Sequence, residues 1–355
     1  MAFYMIKDKS IYIQNIYYML SYAYQCLQQK QYEQIKTEPF DNIQDLFAAI
    51  LAIGIAGQVK QGLHREYVDK EETLSSLRGK IDMSSSIKLK LQRKAQLACQ
   101  FDELSENIEL NRILKTTSML LIRSNEVKRE NKLKLKKVLI YFGHVDEIEP
   151  SFIRWDQLRY HRNNQSYRML MNICFLVLDG LLLTTEKGDQ KLATFLDNQK
   201  MSRLFEKFVL EYYRKHYPEL RARPSQISWE VDDDIREFLP AMQTDIMLTY
   251  GEKTLIIDTK YYGQTMQTIA QFDSHTLRSN NLYQIYTYVK NKDRHHTGNV
   301  GGLLLYAKTD EDITLNHDYR MGGNKISVRA LDLNRSFGEI ATQLDEIVTR
   351  WIFEN

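Results

Sequence analysis

Cysteine is scarce in this sequence: Cys26, Cys99 and Cys174 are widely spaced and odd in number. That argues against a disulfide framework or a cysteine-built zinc cluster and leaves three small, buried thiols. Five prolines and fifteen glycines in 355 residues leave no room for long low-complexity segments, and there is no internal repeat. Long hydrophobic runs are missing as well. The most apolar stretch, Met169 to Leu183, is interrupted by Asn172, Asp179 and Gly180, so it reads as a buried helix and not as a membrane span. Gln14 and Asn15 break the aromatic run near the N-terminus, which excludes a signal peptide. A cytoplasmic protein with no membrane partner is expected. Charge of one sign is not in excess either, since the net charge is +2; a nucleic-acid partner would have to be held by local basic patches. No G-x-x-x-x-G-K-[ST] loop and no G-x-S-x-G elbow occur, so any nucleotide hydrolysis must come from a partner.

What is present is a globular composition, 43% hydrophobic and 26% charged, in a chain longer than one domain usually is. Two domains are expected, 1–160 and 161–355, divided near Pro150 and the polar stretch Arg162 to Ser166. In the first, helical periodicity is predicted over Ile11 to Leu27 after an extended entry, Ile43 to Gly57, Leu110 to Arg123 and Asn131 to Tyr141. Gly62 ends the second of these. Tyr67 to Asp69 and Leu74 to Ile81 read as short strands, Arg78-Gly79-Lys80-Ile81-Asp82 as a tight exposed turn, and Ile87-Lys88-Leu89-Lys90-Leu91 as a half-buried strand. In the second domain, helix is predicted over 167–183 and Met201 to Tyr217, where Pro218 stops it. Strands follow at Ile227 to Val231, Ala241 to Thr249 and Thr254 to Tyr261, then a helix at Asn281 to Lys290, strands at Val300 to Tyr306 and Ile326 to Leu331, and a closing helix at Ile340 to Phe353. This is a mixed α/β pattern.

Chemistry concentrates where two apolar strands end in carboxylates. Asp245 closes Met242-Gln243-Thr244-Asp245, and Asp258 follows Leu255-Ile256-Ile257, with Thr259 and Lys260 next. Adjacent strand ends would let Asp245 and Asp258 hold a hard divalent ion such as Mg²⁺, Mn²⁺ being a substitute, with the Thr259 carbonyl as a third ligand. Lys260 leaves the same face as Asp258, where it could orient water or stabilise developing negative charge. Alone, D-x-K reads first as a salt bridge between Asp258 and Lys260, because the pattern is short and common. Gln284 and Tyr288 share one face of the next helix. Glu206 is an acidic residue in an aromatic helical segment, either a further metal contact or a solvent-facing carboxylate. His295-His296 reads as mobile surface.

The motif Thr244-Asp245 … Asp258-Thr259-Lys260 resembles the PD-(D/E)xK nuclease superfamily, and Gln284 … Tyr288 resembles the Q-x-x-x-Y element of its RecB-like members. Thr244 stands where proline is usual. Further segments resemble the McrC family: Asn15-Ile16-Tyr17-Tyr18-Met19-Leu20, Arg78-Gly79-Lys80-Ile81-Asp82, Phe101-Asp102-Glu103 with Asn111-Arg112-Ile113-Leu114-Lys115, Leu204-Phe205-Glu206-Lys207-Phe208, and Asn281-Leu282-Tyr283-Gln284.

The resemblance implies a C-terminal nuclease fold with a central mixed sheet flanked by helices, preceded by an α+β domain. That first domain would dock into a hexameric AAA+-type GTPase, McrB, and stimulate it, with GTP bound only by the partner. The second would cut double-stranded DNA with Asp245, Asp258, Lys260, Gln284 and Tyr288. Two alternatives remain open from the sequence: a non-cleaving GTPase activator, and a stand-alone RecB-like exonuclease. Phosphate contacts are expected from Arg214, Lys215, Arg221, Arg223, Lys253 and Arg278.

Overall fold

A computed structural model describes residues 7–8, 11–24, 32, 35, 38 and 40–353, apart from 163, 165, 181, 185–189, 193–197, 234, 262–266, 270–273 and 309–314. Cys26 and most of the polar stretch from Thr184 to Lys191 lie outside the described residues. The chain divides into two compact units, Met1–Leu46 with Ala193–Asn355, and Phe47–Leu192. This differs from the linear division at residue 160. Helix α1 (Ile13–Ala23) shows why, because it packs on the helix Asn198–His216 in the second half of the sequence. Asn15 donates its amide to the carbonyls of Leu333 and Arg335, at 2.9 and 2.8 Å.

The second unit begins within α2 (Ile43–Gln61), which Gly62 terminates at φ +86. By composition α2 could cross a membrane, but most of that stretch is buried inside the fold. Strand β1 (Glu66–Leu74) pairs antiparallel with β3 (Leu97–Ser105), whose other edge carries the two-residue β2 (Lys80–Ile81). β3 was not anticipated, although its Phe101-Asp102-Glu103 was singled out. The turn before β2 needs glycine: Gly79 has φ +68, and a Cβ there would stand 2.3 Å from the Gln100 carbonyl oxygen.

The strand predicted at Ile87 to Leu91 is instead helix α3 (Met83–Leu91). Asp82 caps it by accepting from the amides of Ser84 and Ser85, and the apolar side chains Ile87 and Leu91 are exposed. The alternation was therefore not a sign of a half-buried sheet face. Helices α4 (Glu109–Arg123), α5 (Arg129–Leu139) and α6 (Tyr167–Leu178) complete the unit, α4 packing on both others.

In the first unit, α7 (Asn198–His216) is followed by β4 (Arg223–Ile227), β5 (Met242–Tyr250), β6 (Lys253–Lys260), α8 (Ser279–Lys292), β7 (Val300–Lys308), β8 (Asn316–Met321), β9 (Asn324–Asp332) and α9 (Phe337–Phe353). β4 ends where a strand was predicted to begin, and β8 was not foreseen because all but its last residue are exposed. The six strands form one mixed sheet ordered β8-β9-β7-β6-β5-β4. β7 is parallel to both β6 and β9; the remaining pairs are antiparallel.

Two successive glycines show how helices cover both faces of β7. A Cβ on Gly301 would meet the Trp351 ring of α9 at 2.2 Å, and one on Gly302 would meet Ile285 and Val289 of α8 at 2.7 and 2.9 Å. Adjacent residues point to opposite faces, so α8 and α9 lie on opposite sides of the sheet. Burying its strands on both sides removes water from everything beneath them, including the ends where the carboxylates sit.

Candidate functional site

β5 and β6 run antiparallel, with Ile246 opposite Ile257 as the last paired residues. The next register step brings Asp245 opposite Asp258, where the ladder has stopped and side chains can converge. Thr259 bridges the gap by donating its backbone N–H (2.7 Å) and its hydroxyl (2.9 Å) to Asp245 Oδ2. Asp258 is 1% exposed. Its Oδ2 is sealed from solvent, and Lys260 Nζ lies 2.7 Å away in a charge contact poorly aligned for a hydrogen bond.

Lys260 is held from the other side by Gln284, whose Oε1 lies 3.2 Å from Nζ, and Gln284 in turn donates its Nε2 to the Tyr288 hydroxyl at 3.0 Å. The residues of β6 and α8 predicted to act together are thus linked in one line, Asp258 to Lys260 to Gln284 to Tyr288. The salt bridge expected from D-x-K alone is present as well. It coexists with the cluster.

Electrostatics place Glu206 of α7 in the same group. Burial raises its carboxyl above the usual range, Asp245 and Asp258 raise it further, and Lys260 and Arg203 oppose them. Asp258 is raised to about 6, first by burial and also by Asp245, while Lys260 pulls it down. Asp245 and Asp258 therefore meet where the ladder stops with one lysine beside them, Glu206 is near enough to feel their charges, and Asp258 and Glu206 resist ionisation there. Such a cluster fits a small hard cation: oxygen donors only, one of them a buried acceptor atom without an aligned donor. Asp245, Asp258 and Glu206 are the side chains that could hold it.

Several expectations fall elsewhere. Lys253 stands at the opposite end of β6 from Asp258 and donates to the Ile352 carbonyl at 2.9 Å. Arg214 is engaged by Glu211 (2.7 Å) and the Ala222 carbonyl (3.1 Å). Neither guanidinium nor ammonium is placed for the phosphate contact expected of it. His295 and His296 are exposed, in a turn organised by Asp293. Burial would raise the Asp293 carboxyl, but hydrogen bonds from Asn324, Gly298 and Thr297 bring it down to about 2.

One residue not singled out stands beside Lys260. Tyr306, opposite Lys260 in the β6–β7 register, is fully buried and accepts the Asn281 amide at 3.0 Å. A hydroxyl-bearing ring closing the apolar run Val300 to Leu305 was the available signal.

Comparison with known proteins adds three findings. The family described as McrBC 5-methylcytosine restriction system component matches residues 7–307. The type IV methyl-directed restriction enzyme EcoKMcrBC of Escherichia coli (strain K12) is 25% identical over 344 residues, covering 96% of this chain and 98% of that protein. Among solved structures, a refined half-complex from the tetradecameric assembly of Thermococcus gammatolerans McrB AAA+ hexamers with bound McrC aligns with a TM-score of 0.52. It is 18% identical, and the alignment covers 96% of this chain and 76% of that one. That likeness is one of fold, here a mixed α/β fold with a mixed sheet flanked by helices.

Proposed function

The chain belongs to the McrBC 5-methylcytosine restriction system component family, and from that premise we propose that it is the nuclease subunit of such a system, a Mg²⁺-dependent DNA endonuclease of the PD-(D/E)xK kind. The observation that carries the reading is the meeting of Asp245 and Asp258 with Lys260 where the β5–β6 ladder ends, with Glu206 near enough for their charges to act on it.

In this reading Asp245 and Asp258 hold the ion, with the Thr259 carbonyl and Glu206 as further oxygen donors. The ion when bound would polarise a phosphoryl oxygen and acidify the attacking water. Thr259 fixes Asp245 in place through its N–H and hydroxyl. Lys260 keeps a positive charge where negative charge grows on the phosphate, and Gln284, steadied by Tyr288, sets the direction of its ammonium. Burial around Asp258 excludes bulk water and strengthens each of these interactions.

The partner is an McrB-like AAA+ GTPase hexamer, as in the archaeal complex, and GTP enters through it alone. The second unit would dock there and stimulate hydrolysis. Supporting this, residues 67–104 expose six large apolar side chains, Tyr67, Leu77, Met83, Ile87, Leu91 and Leu104. Tyr67 and Leu104 are directly paired across β1 and β3.

The test is co-purification with the AAA+ partner, followed by GTP- and Mg²⁺-dependent cleavage of methylated and unmethylated duplex DNA. Cleavage of either that disappears in Asp245→Ala and Lys260→Ala, with the complex still assembling, is expected. GTPase stimulation without any Mg²⁺-dependent nicking would instead favour a non-cleaving activator, and digestion of linear DNA by the chain alone would favour an exonuclease.

A further inference from the structure

Within the second unit, among residues that belong to no motif of the nuclease reading, three ligand-type side chains converge. His64, Glu66 and His161 each offer one atom, and these atoms lie within 4.8 Å of one another. We propose that they form a zinc site that ties the start of β1 to the segment preceding α6.

The donor set comes first. Two imidazoles and a carboxylate suit a borderline divalent ion such as Zn²⁺ and do not suit Mg²⁺, which takes oxygen ligands. Distances follow. Zinc ligands at tetrahedral corners stand about 3.4 Å apart when each bond is about 2.1 Å long. His64 Nε2 and Glu66 Oε1 are 3.3 Å apart. That nitrogen is closed off from solvent yet has no hydrogen-bond partner, so its contact with Glu66 is close without being aligned as a donor–acceptor pair. An imidazole nitrogen sealed from water and facing a carboxylate across a tetrahedral edge is the arrangement a shared cation explains.

The backbone around the cluster is built to hold it. His64 donates its N–H to the Tyr167 hydroxyl at 2.9 Å, and its carbonyl accepts the Asn111 amide at 2.9 Å. Tyr167 closes the circuit by donating to Asn111 Oδ1 at 2.9 Å, and both residues are buried. His161 donates its N–H to Asn164 Oδ1 at 2.7 Å, and the buried Asn164 returns a bond to the Arg159 carbonyl at 3.3 Å. The His64 and His161 rings meet edge to face at 5.2 Å. Both imidazoles are therefore carried on fixed backbone, while Glu66, half exposed, has the freedom to close the last gap. Three protein ligands leave a fourth position for water.

The site joins residues far apart in sequence, so binding should stabilise the unit through the folded state alone. Full-length protein would be stripped with chelator, returned to equimolar Zn²⁺, desalted and assayed by elemental analysis. About one zinc per chain is expected for wild type and for Asp245→Asn/Asp258→Asn, with a rise in Tm of a few degrees on zinc addition. His161→Gln and His64→Gln are expected to lose both the zinc and the Tm response, and Glu66→Gln to weaken binding at least about tenfold. Because His161 is exposed, His161→Gln should keep the metal-free far-UV spectrum and Tm of wild type, so loss of zinc in it is not loss of fold. Wild type retaining less than a tenth of an equivalent, His161→Gln retaining as much as wild type, or zinc lost only with the Asp245 and Asp258 pair would each overturn the proposal.

Discussion

In the six-stranded sheet, β7 buries every residue from Val300 to Ala307, whereas in the three-stranded sheet β1 has no buried residue at all among its nine. The first is covered by α8 on one face and α9 on the other; the second turns Tyr67 and its cross-strand neighbour Leu104 outward. The contrast separates two uses of a sheet. A strand sealed on both faces can carry a carboxylate such as Asp258 to its end and present it in a low-dielectric space, where charges act strongly on one another. An exposed strand cannot perturb its groups that way, but it leaves surface free for another molecule.

The strongest way to break this comparison is to remove charge at the buried strand end. Asp258→Ala or Lys260→Ala should reduce partner-dependent DNA cleavage by about a hundred- to a thousandfold, the range seen when a principal electrostatic contributor to a transition state is lost. Retained cleavage in both variants would show that burial at the end of β6 serves the fold only. Next in size is the core itself. Leu304 lies opposite Asp258 on β7 and is fully buried, so Leu304→Ala should cost about 2–5 kcal/mol by denaturant unfolding. A loss below 1 kcal/mol would mean the sheet tolerates a cavity beside the site.

The same contrast decided what could be read from the sequence. Strands β5, β6, β7 and β9 were legible as apolar runs, and so was the convergence of Asp245 with Asp258, because continuous burial leaves continuous hydrophobicity. β8 went unseen and Ile87 to Leu91 was misassigned, since exposed segments carry no such pattern, and β3, which buries only Cys99 and Phe101 of its nine residues, shows no continuous apolar run. Glu206 was legible as a residue type out of place, but its proximity to the cluster depended on how α7 packs. The placement of α1 with the C-terminal half had no local signal: it rests on packing against α7 and on Asn15 reaching Leu333 and Arg335.

A smaller effect tests whether Asp258 is held at a thermodynamic cost. Its folded pKa, about 6, lies above the ordinary value of 3.8. Burial therefore favours the neutral form, and the stabilisation this gives is complete below about pH 4 and lost as pH rises through 6. At pH 7.5 the metal-free chain keeps an ionised carboxylate where a neutral group would be preferred. Asp258→Asn should then be more stable than wild type by about 1–3 kcal/mol without metal, the gap closing as pH falls from 6 towards 4. Thermal melts at pH 7.5 and 4.5 measure it. A constant gap across that range would remove the ionisation of Asp258 as its cause.

The smallest expected effect lies on the exposed sheet and sharpens the comparison from the other side. Tyr67 is 75% exposed, so Tyr67→Ala has almost no buried area to lose and should change unfolding free energy by no more than about 0.5 kcal/mol. If that surface receives the AAA+ partner, the same substitution should weaken the complex at least about tenfold, an aromatic side chain at an interface centre being a typical anchor. Binding assayed by titration against the assembled partner, beside denaturant melts of the free chain, separates the two quantities. A variant that loses stability while binding normally would show that the exposed strand belongs to the fold as β7 does. Loss of binding at unchanged stability would show that one chain keeps its chemistry on a sealed sheet and its recognition on an open one.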